Sequence, residues 1–289
     1  MELTNKSELL DYLKQHTLWA KKGLSQNFLI DKVALDDIVA AAELKPDDLV
    51  VEIGPGLGTM TQELVRHAGE VLAIEMDEKL ASLLPQKIES RNLKVINSDI
   101  LRVNLNEIID SKEYKVVANI PYHITSKILE LFLSRENKPE LIVLLVQKEV
   151  AERICAKPGD MSVLAVSVQL FGRPEVVNIV RKESFFPSPK VDSAILRIVI
   201  SNQLSVVSKE QERDFFRCVH VGFAAKRKTL VNNLMVGYQL ERIQVLDILK
   251  SMGLKETVRA QELSVQEWKE LTETISQLTV FNSHQSTED

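Results

Sequence analysis

A predicted strand over residues 114–120 ends in three side chains of different character: an amide at Asn119, a rigid Pro121 and an aromatic ring at Tyr122. The side-chain oxygen of Asn119 and the main-chain carbonyl of Ile120 are two acceptors that could hold both protons of an exocyclic amine. The proline fixes the backbone, and the tyrosine ring could stack on a base that has left its own stack. This stretch therefore predicts a pocket that presents the amino group of a nucleobase.

The chemistry expected of such a pocket follows from the amine itself. In adenine the lone pair of the exocyclic nitrogen is delocalised into the ring, so the nitrogen is a poor nucleophile. Two acceptors that hold its protons would favour a tetrahedral nitrogen and free the lone pair for in-line attack on a methyl group. A strong general base is not required, because the proton can leave after the transfer. The alternative interpretation is an asparagine-capped turn beside a tyrosine of the core.

A glycine-rich loop between the first predicted strand of the sheet and the helix after it indicates the methyl donor. Gly54, Gly56 and Gly58 form a G-x-G-x-G pattern. Glycines there let backbone N–H groups approach a ligand beyond the strand ends. A dinucleotide fingerprint, G-x-G-x-x-G/A, requires glycine or alanine where this chain has Thr59, which weakens a nicotinamide interpretation.

Acidic residues end the next two predicted strands. Glu75 lies 21 residues after Gly54, where a carboxylate can accept hydrogen bonds from a ribose diol. Asp99 ends the predicted strand at 93–99 and could reach the amino group of an adenine. Together with the glycine loop, these acids favour S-adenosylmethionine over NAD. The alternative is that the glycines make a tight turn and the acids cap helices.

The elements that must position these residues alternate along the first two thirds of the chain. Their near-continuous apolar strands indicate a parallel sheet covered on both faces, as in a doubly wound α/β domain. Strands are predicted at 49–54, 70–75, 93–99, 114–120, 140–147, 174–181 and 193–200. Helices are predicted at 7–20, 32–44, 59–68 and 78–90.

The apolar periodicity changes from strand to helix after residue 200. We therefore predict a catalytic domain over 1–204, which includes an N-terminal helical segment, and a helical domain over 205–279. Residues 280–289 are polar and are predicted to be disordered.

Composition limits the class of protein. The 289 residues are 45% hydrophobic and 27% charged, which is ordinary for a globular protein. No apolar run is long enough to span a bilayer, and the N-terminus has no signal core, so a cytoplasmic protein that does not contact a membrane is expected. Cys155, Cys218 and the five histidines are scattered, which predicts neither a disulfide framework nor a metal site.

The net charge of −5 is unevenly distributed. Residues 262–289 hold six acids and one base, which gives −5, so the other 261 residues sum to zero. Binding of a polyanion would therefore depend on local basic clusters. The candidates for RNA phosphate contacts are Lys226, Arg227 and Lys228 in one cluster and Lys21 and Lys22 in another, although either could be only a solvated face.

Seven motifs now occur in one order: "GLSQNFLID", "VEIGPGLGTMT", "AIEMD", "NSDIL", "NIPYHIT", "VQKEVAERI" and "FFPSPKVDSAILRI". With "KRKTLVNNL" and "RAQELSVQEW", this order resembles that of the KsgA-type small-subunit rRNA adenine dimethyltransferases over roughly residues 20–275. Departures from the family pattern are Ile120 and Thr125 within the "NIPYHIT" motif, which keep side-chain character, and an acidic isoelectric point of 5.7.

The resemblance implies a Rossmann-like S-adenosylmethionine-dependent methyltransferase domain followed by a small all-helical C-terminal domain. The implied reaction is N6-dimethylation of two adjacent adenosines in the hairpin loop near the 3′ end of small-subunit (16S) rRNA. Its substrate would be the assembling 30S subunit during ribosome biogenesis, and a monomer is expected. Carried over by position, the cofactor-binding residues are Asn27, Leu29, Gly54, Gly56, Glu75, Asp99 and Asn119. Phe185 matches the aromatic residue that faces the target base opposite Tyr122, and Asn119 and Pro121 complete the catalytic set.

Three other functions stay open from the sequence. A macrolide-resistance-type methyltransferase that acts on large-subunit rRNA shares the Asn-Ile-Pro-Tyr and glycine-loop motifs. A non-catalytic assembly or transcription factor could have kept the fold and lost the activity. A nicotinamide dehydrogenase would need a hydride-transfer constellation, which the chain lacks.

Overall fold

The structure is a computed structural model that describes residues 3–20, 26–109, 113–201 and 208–285. The chain divides into two compact units. The first comprises Met1–Glu152 and Gly172–Ser201, and the second comprises Arg153–Phe171 and Asn202–Asp289.

The helices and strands alternate in the first unit, and the second unit is helical. The strands are β1 Phe28–Leu29, β2 Leu49–Ile53, β3 Glu70–Glu75, β4 Leu93–Asn97, β5 Tyr114–Asn119, β6 Leu141–Gln147, β7 Gly172–Val180, β8 Phe185–Phe186 and β9 Ser193–Ile200. The helices are α1 Lys6–Gln15, α2 Lys32–Ala41, α3 Thr59–His67, α4 Glu78–Lys87, α5 Leu105–Ile109, α6 Thr125–Leu133, α7 Lys148–Ile154, α8 Val163–Phe171, α9 Lys209–Gly222, α10 Leu230–Tyr238, α11 Arg242–Ser251 and α12 Val265–Gln285.

The main sheet has seven strands in the order β4-β3-β2-β5-β6-β9-β7. The five strands from β4 to β6 in this order are parallel, which confirms the predicted α/β fold class. The last two differ from a purely parallel sheet, because β9 runs antiparallel to β6 and β7 runs antiparallel to β9. Helices α7 and α8 lie between β6 and β7 in the chain, whereas β7 and β9, which are antiparallel neighbours, are joined without an α-helix.

The order of the strands places a crevice at the centre of the sheet. From β2 the chain moves outward to β3 and β4, and it then returns to place β5 on the other side of β2. Such a reversal opens a crevice at the carboxyl ends of the strands, where sheets of this kind bind ligands. The glycine loop follows β2, and Asn119 is the last residue of β5.

The interior of the sheet is closely packed. Val50, Val117, Val143 and Ile195 on four different strands are fully buried and belong to one apolar cluster with α2 and α3. Runs of branched side chains suit strands that are covered on both faces. The crevice is therefore supported by a packed layer on each side of the strands that form it.

The division into units differs from the predicted boundary at residue 204. Helix α8 belongs to the second unit, where it packs against α9 and α12. The ring of Phe171 lies 6.2 Å from the ring of Phe216 in that unit. The apolar run at 161–172 gave no sign in the sequence of which part of the chain it would pack against.

The last helix also differs from the prediction of a disordered tail over 280–289. Helix α12 continues to Gln285, so 280–285 are helical, and the remaining four residues lie outside the described part. Within the described residues, no helix combines the length and the apolar character needed to cross a membrane. In the same part of the chain, no cluster of three or more His, Cys, Asp and Glu side chains could hold a metal ion.

Candidate active site

A cavity of about 340 Å³ opens at the carboxyl ends of the central strands of the first unit. Most of the residues predicted to bind a cofactor or a base line it. These are Asn27, Leu29, Gly54, Gly56, Glu75, Asp99, Asn119, Pro121 and Tyr122. Residues distant in the sequence and predicted on separate grounds thus meet around one space.

The glycine loop has a backbone that only glycine adopts readily. Gly54, Gly56 and Gly58 have φ angles of +65°, +58° and +77°, in the left-handed region that costs other residues energy. At Gly58 a Cβ atom would also lie 2.4 Å from Leu84 Cδ1 and 2.9 Å from Ile88 Cδ1. The loop is therefore held in a shape that brings bare backbone to the cavity wall.

Glu75 links this loop to the end of β3. Its Oε2 accepts a hydrogen bond from Gly56 N at 2.9 Å, and its Oε1 accepts one from Asp77 N at 2.8 Å. Burial raises the pKa of Glu75, while these backbone donors act in the opposite direction. Each carboxylate oxygen can accept more than one hydrogen bond, so Glu75 can fix the loop and still bind a ligand hydroxyl.

Asp99 lies two residues beyond the end of β4, which is shorter than the strand predicted at 93–99. Its Oδ1 accepts a hydrogen bond from Leu101 N at 3.0 Å, and its Oδ2 lies 3.7 Å from Arg102 Nε. The side chain is 28% exposed and lines the cavity beside Glu75. The two acids predicted at successive strand ends therefore line the same cavity, and their role in binding a cofactor stays a prediction.

Asn119 has a defined orientation at the end of β5. Its Nδ2 donates a hydrogen bond to the main-chain oxygen of Asn27 at 3.1 Å. This contact uses the donor side of the amide and turns the acceptor, Oδ1, the other way. The segment that contains Asn27 and Leu29 therefore fixes the side chain on which the predicted chemistry depends.

Tyr122 begins a short 3₁₀ turn, Tyr122–Ile124, directly after Pro121. Its hydroxyl lies 2.7 Å from Ser193 Oγ, and Ser193 is fully buried. Burial is the main cause that raises the pKa of the Tyr122 phenol, and the charge of Asp192 adds to it. Tyr122 is therefore an anchored neutral ring at the cavity wall, and Ser193, which lies in the "FFPSPKVDSAILRI" motif but was not predicted as a site residue, is its buried hydrogen-bond partner.

Phe185 lies in a different place from the one that the resemblance implied. It is 3% exposed and packs in the core cluster that includes Leu29, Val180 and Ile195. It pairs with Leu29 in the two-stranded β1–β8 sheet, which turns its ring into the interior. Phe185 is not among the residues that line the cavity, so the prediction that it faces a base opposite Tyr122 does not hold in this structure.

Glu52 is a cavity-lining acid that was missed from the sequence. It lies in β2, is fully buried, and neither carboxylate oxygen has a hydrogen-bond partner among the described residues. Burial raises its pKa to about 8, the nearby Glu75 adds to this rise, and the Thr61 hydroxyl lowers it without reaching good hydrogen-bond geometry. An acid within the otherwise apolar strand "LVVEIG" was the available signal.

The two predicted basic clusters belong to other parts of the chain. Lys226, Arg227 and Lys228 are exposed in the loop between α9 and α10 of the second unit. Lys21 and Lys22 lie outside the described residues. A contact between either cluster and RNA stays a prediction.

These features define the class of Rossmann-like methyltransferases. The sheet is mostly parallel, a glycine loop follows β2, acids lie at the ends of β3 and β4, and an Asn-Ile-Pro-Tyr turn begins at the end of β5. Two solved structures agree with this class. A dimethyladenosine transferase from Plasmodium falciparum has a TM-score of 0.73 and 27% identity, covering 84% of this chain and 95% of that one. A 23S rRNA methyltransferase, ErmE, has a TM-score of 0.71 and 29% identity, covering 86% of this chain and 100% of that one.

Comparisons of sequence narrow the class to a family. The model for "Ribosomal RNA adenine dimethylase" matches residues 17–277. A protein named ribosomal RNA small subunit methyltransferase A from Dehalococcoides mccartyi is 44% identical over 90% of each chain. One of the same name from Alkaliphilus metalliredigens is 38% identical over 88% of this chain and 91% of that protein. The chain belongs to the ribosomal RNA adenine dimethylase family and is a methyltransferase.

Proposed function

We propose that this enzyme uses S-adenosylmethionine to dimethylate N6 of two adjacent adenosines in the hairpin loop near the 3′ end of small-subunit rRNA. It acts as a monomer on the assembling 30S subunit. The observation that carries the proposal is that the glycine loop and the Asn119–Tyr122 group line a single cavity. The names of the relatives, which specify the small subunit, support the choice of RNA.

The cavity suits S-adenosylmethionine by its donors, acceptors and charge. Backbone groups of Gly54 and Gly56 and of the Asn27–Leu29 segment supply main-chain contacts to a flexible amino-acid chain. Glu75 accepts hydrogen bonds from the ribose diol, and Asp99 accepts one from the amino group of the cofactor's adenine. Glu52 also lines the cavity, and although burial raises the pKa of its carboxyl to about 8, a positively charged ligand beside it would favour the ionised form.

The residues of the Asn119 turn prepare the target amine. The methyl group for the reaction comes from the sulfonium of the bound cofactor. Asn119 Oδ1 and the Ile120 carbonyl each accept a hydrogen bond from one N–H of the adenine amine, which moves the lone pair of the nitrogen out of conjugation with the ring. Water accepts the proton that leaves afterwards, so no side chain has to act as a strong base. An amine with one methyl group keeps one N–H, so one of the two acceptors can still orient it for the second transfer.

Tyr122 holds the base while the amine reacts. Its ring stacks on the flipped adenine, and the bond to the Ser193 hydroxyl limits rotation of the phenol. Stacking on an aromatic side chain offsets part of the cost of removing a base from its own stack. A rigid ring also excludes water from one face of the reacting nitrogen.

The main competitor is methylation of a large-subunit adenosine. The structural likeness to ErmE is nearly as high as the likeness to the dimethyladenosine transferase, so fold similarity alone does not separate the two substrates. The small-subunit methyltransferases are 44% and 38% identical to this chain over about nine tenths of its length, whereas ErmE is 29% identical over 86%. The higher identity supports the small subunit.

The deciding experiment is methyl transfer from radiolabelled S-adenosylmethionine to ribosomal subunits that lack the modification. We expect label only in small subunits, mapped by primer extension and nucleoside mass spectrometry to dimethylated neighbouring adenosines. Label in large-subunit rRNA would replace this proposal with the macrolide-resistance type of reaction. Binding of small subunits without any transfer would indicate a non-catalytic factor.

A further inference from the structure

The N-terminal helix α1 packs against the glycine loop. Leu9, Tyr12 and Leu13 of this helix form one apolar cluster with Leu57 and Leu80. Leu57 is the loop residue between Gly56 and Gly58. Nothing in the proposed chemistry uses α1, so its position against the loop calls for a separate explanation.

One charged side chain joins the helix to the loop. Lys87, the last residue of α4, donates a hydrogen bond from Nζ to the Leu57 carbonyl oxygen at 2.5 Å. The same ammonium lies 5.2 Å from the centroid of the Tyr12 ring, within cation–π range. Lys87 therefore contacts the backbone of the loop and a side chain of α1 at the same time.

This arrangement is costly for a side chain that only fills space. Burial lowers the pKa of Lys87 to about 8, because desolvation disfavours the charged ammonium. An apolar side chain at the end of α4 would avoid that cost and pack against the same cluster. The polar contacts of Lys87 thus serve something other than stability.

The glycine loop needs such external support. At its three glycines the backbone has no side chain to hold it, so the loop depends on Leu57 and on hydrogen bonds to its peptide groups. On the cavity side, Gly56 N is held by Glu75 Oε2. The peptide group between Leu57 and Gly58 is held by two bonds, from Gly58 N to Pro55 O at 2.9 Å and from Lys87 Nζ to Leu57 O. Of these three bonds, the one from Lys87 ties the loop to α4.

We infer that Lys87 is a positioning residue for the cofactor. Its ammonium bridges the Leu57 carbonyl and the Tyr12 ring of α1 and so fixes the glycine loop. Cofactor affinity should therefore depend on the N-terminal helix. The inference rests on the proposed function, because it takes the loop to bind S-adenosylmethionine. Two variants test the two halves of the contact. Lys87→Met removes the donor and the charge, and Tyr12→Leu removes the ring but keeps an apolar side chain.

The test is calorimetric binding of S-adenosylhomocysteine to the full-length protein, with the melting temperature of each variant measured in parallel. Lys87→Met should weaken binding roughly tenfold, the scale of losing one charge-assisted hydrogen bond. Its melting temperature should stay level or rise, because a buried charge has been removed. Lys87→Arg, which keeps a charged donor, should bind more tightly than Lys87→Met, and Tyr12→Leu should show an intermediate loss.

A matched control is Lys94→Met, which removes an exposed lysine from β4 and should leave binding unchanged. Wild-type affinity in Lys87→Met would overturn the inference. The inference would also be overturned if Lys87→Met lost both affinity and melting temperature and if Lys87→Arg did not restore the affinity. That pattern would mean that Lys87 only stabilises the fold. Failure of the wild-type protein to bind S-adenosylhomocysteine would instead reject the proposed cofactor, and the inference with it.

Discussion

The cavity of the first unit and the basic loop of the second unit differ in how their side chains are oriented and in how far they are exposed. Around the cavity, Glu75 and Asn119 are oriented by hydrogen bonds to backbone atoms, and Glu52 is buried without a hydrogen-bond partner among the described residues. At the basic loop, the side chains from Lys226 to Lys228 are exposed, and the local backbone contact is an ordinary turn bond from Lys228 N to Ala225 O. One region is fixed and desolvated, and the other is hydrated.

The two regions can therefore serve different steps of the reaction. Fixed, partly desolvated groups can stabilise a reaction because they are not reorganised by water at the moment of transfer. Hydrated lysines and arginines attract phosphates over a distance, but their effect is weakened by salt and is insensitive to small changes in geometry. Substitutions in the cavity should alter steps of catalysis, whereas substitutions in the loop should alter only the association with RNA.

The largest effect is expected at Asn119. Asn119→Ala removes one of two acceptors for the amine and should lower the single-turnover methylation rate by about 10²–10³-fold, as for loss of one oriented polar group in an active site. The circular dichroism spectrum and the melting temperature should change little. Asn178→Ala, at an exposed asparagine on the edge strand β7, is the matched control. A near-wild-type rate for Asn119→Ala would remove this residue from the mechanism.

A smaller effect, on binding alone, is expected at Glu75. Glu75→Ala leaves a ribose hydroxyl and the Gly56 N–H unpaired and should weaken S-adenosylmethionine binding by about 1–3 kcal/mol. Isothermal titration calorimetry measures this loss, with Glu78→Ala on the exposed face of α4 as the control. NAD should not bind to the wild-type protein in the same assay. An unchanged affinity of the Glu75 variant would sink the assignment of the ribose.

The basic loop should give an effect that salt can erase. Replacing Lys226, Arg227 and Lys228 together by alanine should flatten the log–log salt dependence of subunit binding by about one unit for each phosphate that the variant no longer neutralises. Cofactor affinity should stay the same, because the loop does not line the cavity. The measurement is a salt titration of binding to unmodified small subunits. Parallel slopes for the variant and the wild type would show that this loop is only a solvated face.

The last effect is expected for Glu52 and concerns stability rather than catalysis or binding. Its pKa of about 8 in the folded protein exceeds the ordinary value of 4.5, so the folded state keeps a proton that the unfolded chain releases. This stabilisation is complete below about pH 4.5 and is lost as the pH rises towards about 8. Glu52→Gln removes the titrating group. As the pH rises across this range, the melting temperature of the variant should therefore increase by a few degrees relative to that of the wild type. A constant difference between the two melting curves would mean that Glu52 does not titrate there.

The sequence was most informative where a local pattern determines a local structure. The apolar run at 70–75 predicts a strand, and the G-x-G-x-G pattern predicts a tight loop. Parallel strands then bring Glu75 and Asp99 to the same edge of the sheet. By contrast, Ser193 and Lys87 act through partners 71 and 30 residues away in the chain. No periodicity encodes such pairs, because they depend on how separate elements pack.

The placements of Phe185 and of α8 both differ from the predictions, because packing between separate elements decides them. The placement of Phe185 opposite Tyr122 carried over a role from the motif, whereas the β1–β8 pairing turns this ring into the core. The assignment of the whole of 1–204 to one domain overlooked that α8 is apolar on most of its surface. A helix of that kind packs wherever an apolar face is available, and here this face belongs to α9 and α12.

The sharpest test of the difference between the two regions is the single-turnover rate of site-mapped methylation at saturating cofactor and saturating small subunit. It is measured for the wild type, for Asn119→Ala and for the triple variant at Lys226, Arg227 and Lys228. We predict that the triple variant recovers the wild-type rate and dimethylates the same two adenosines, whereas Asn119→Ala stays slow at every concentration. An Asn119 variant that recovers at saturation, or a triple variant that stays slow there, would contradict this division of roles.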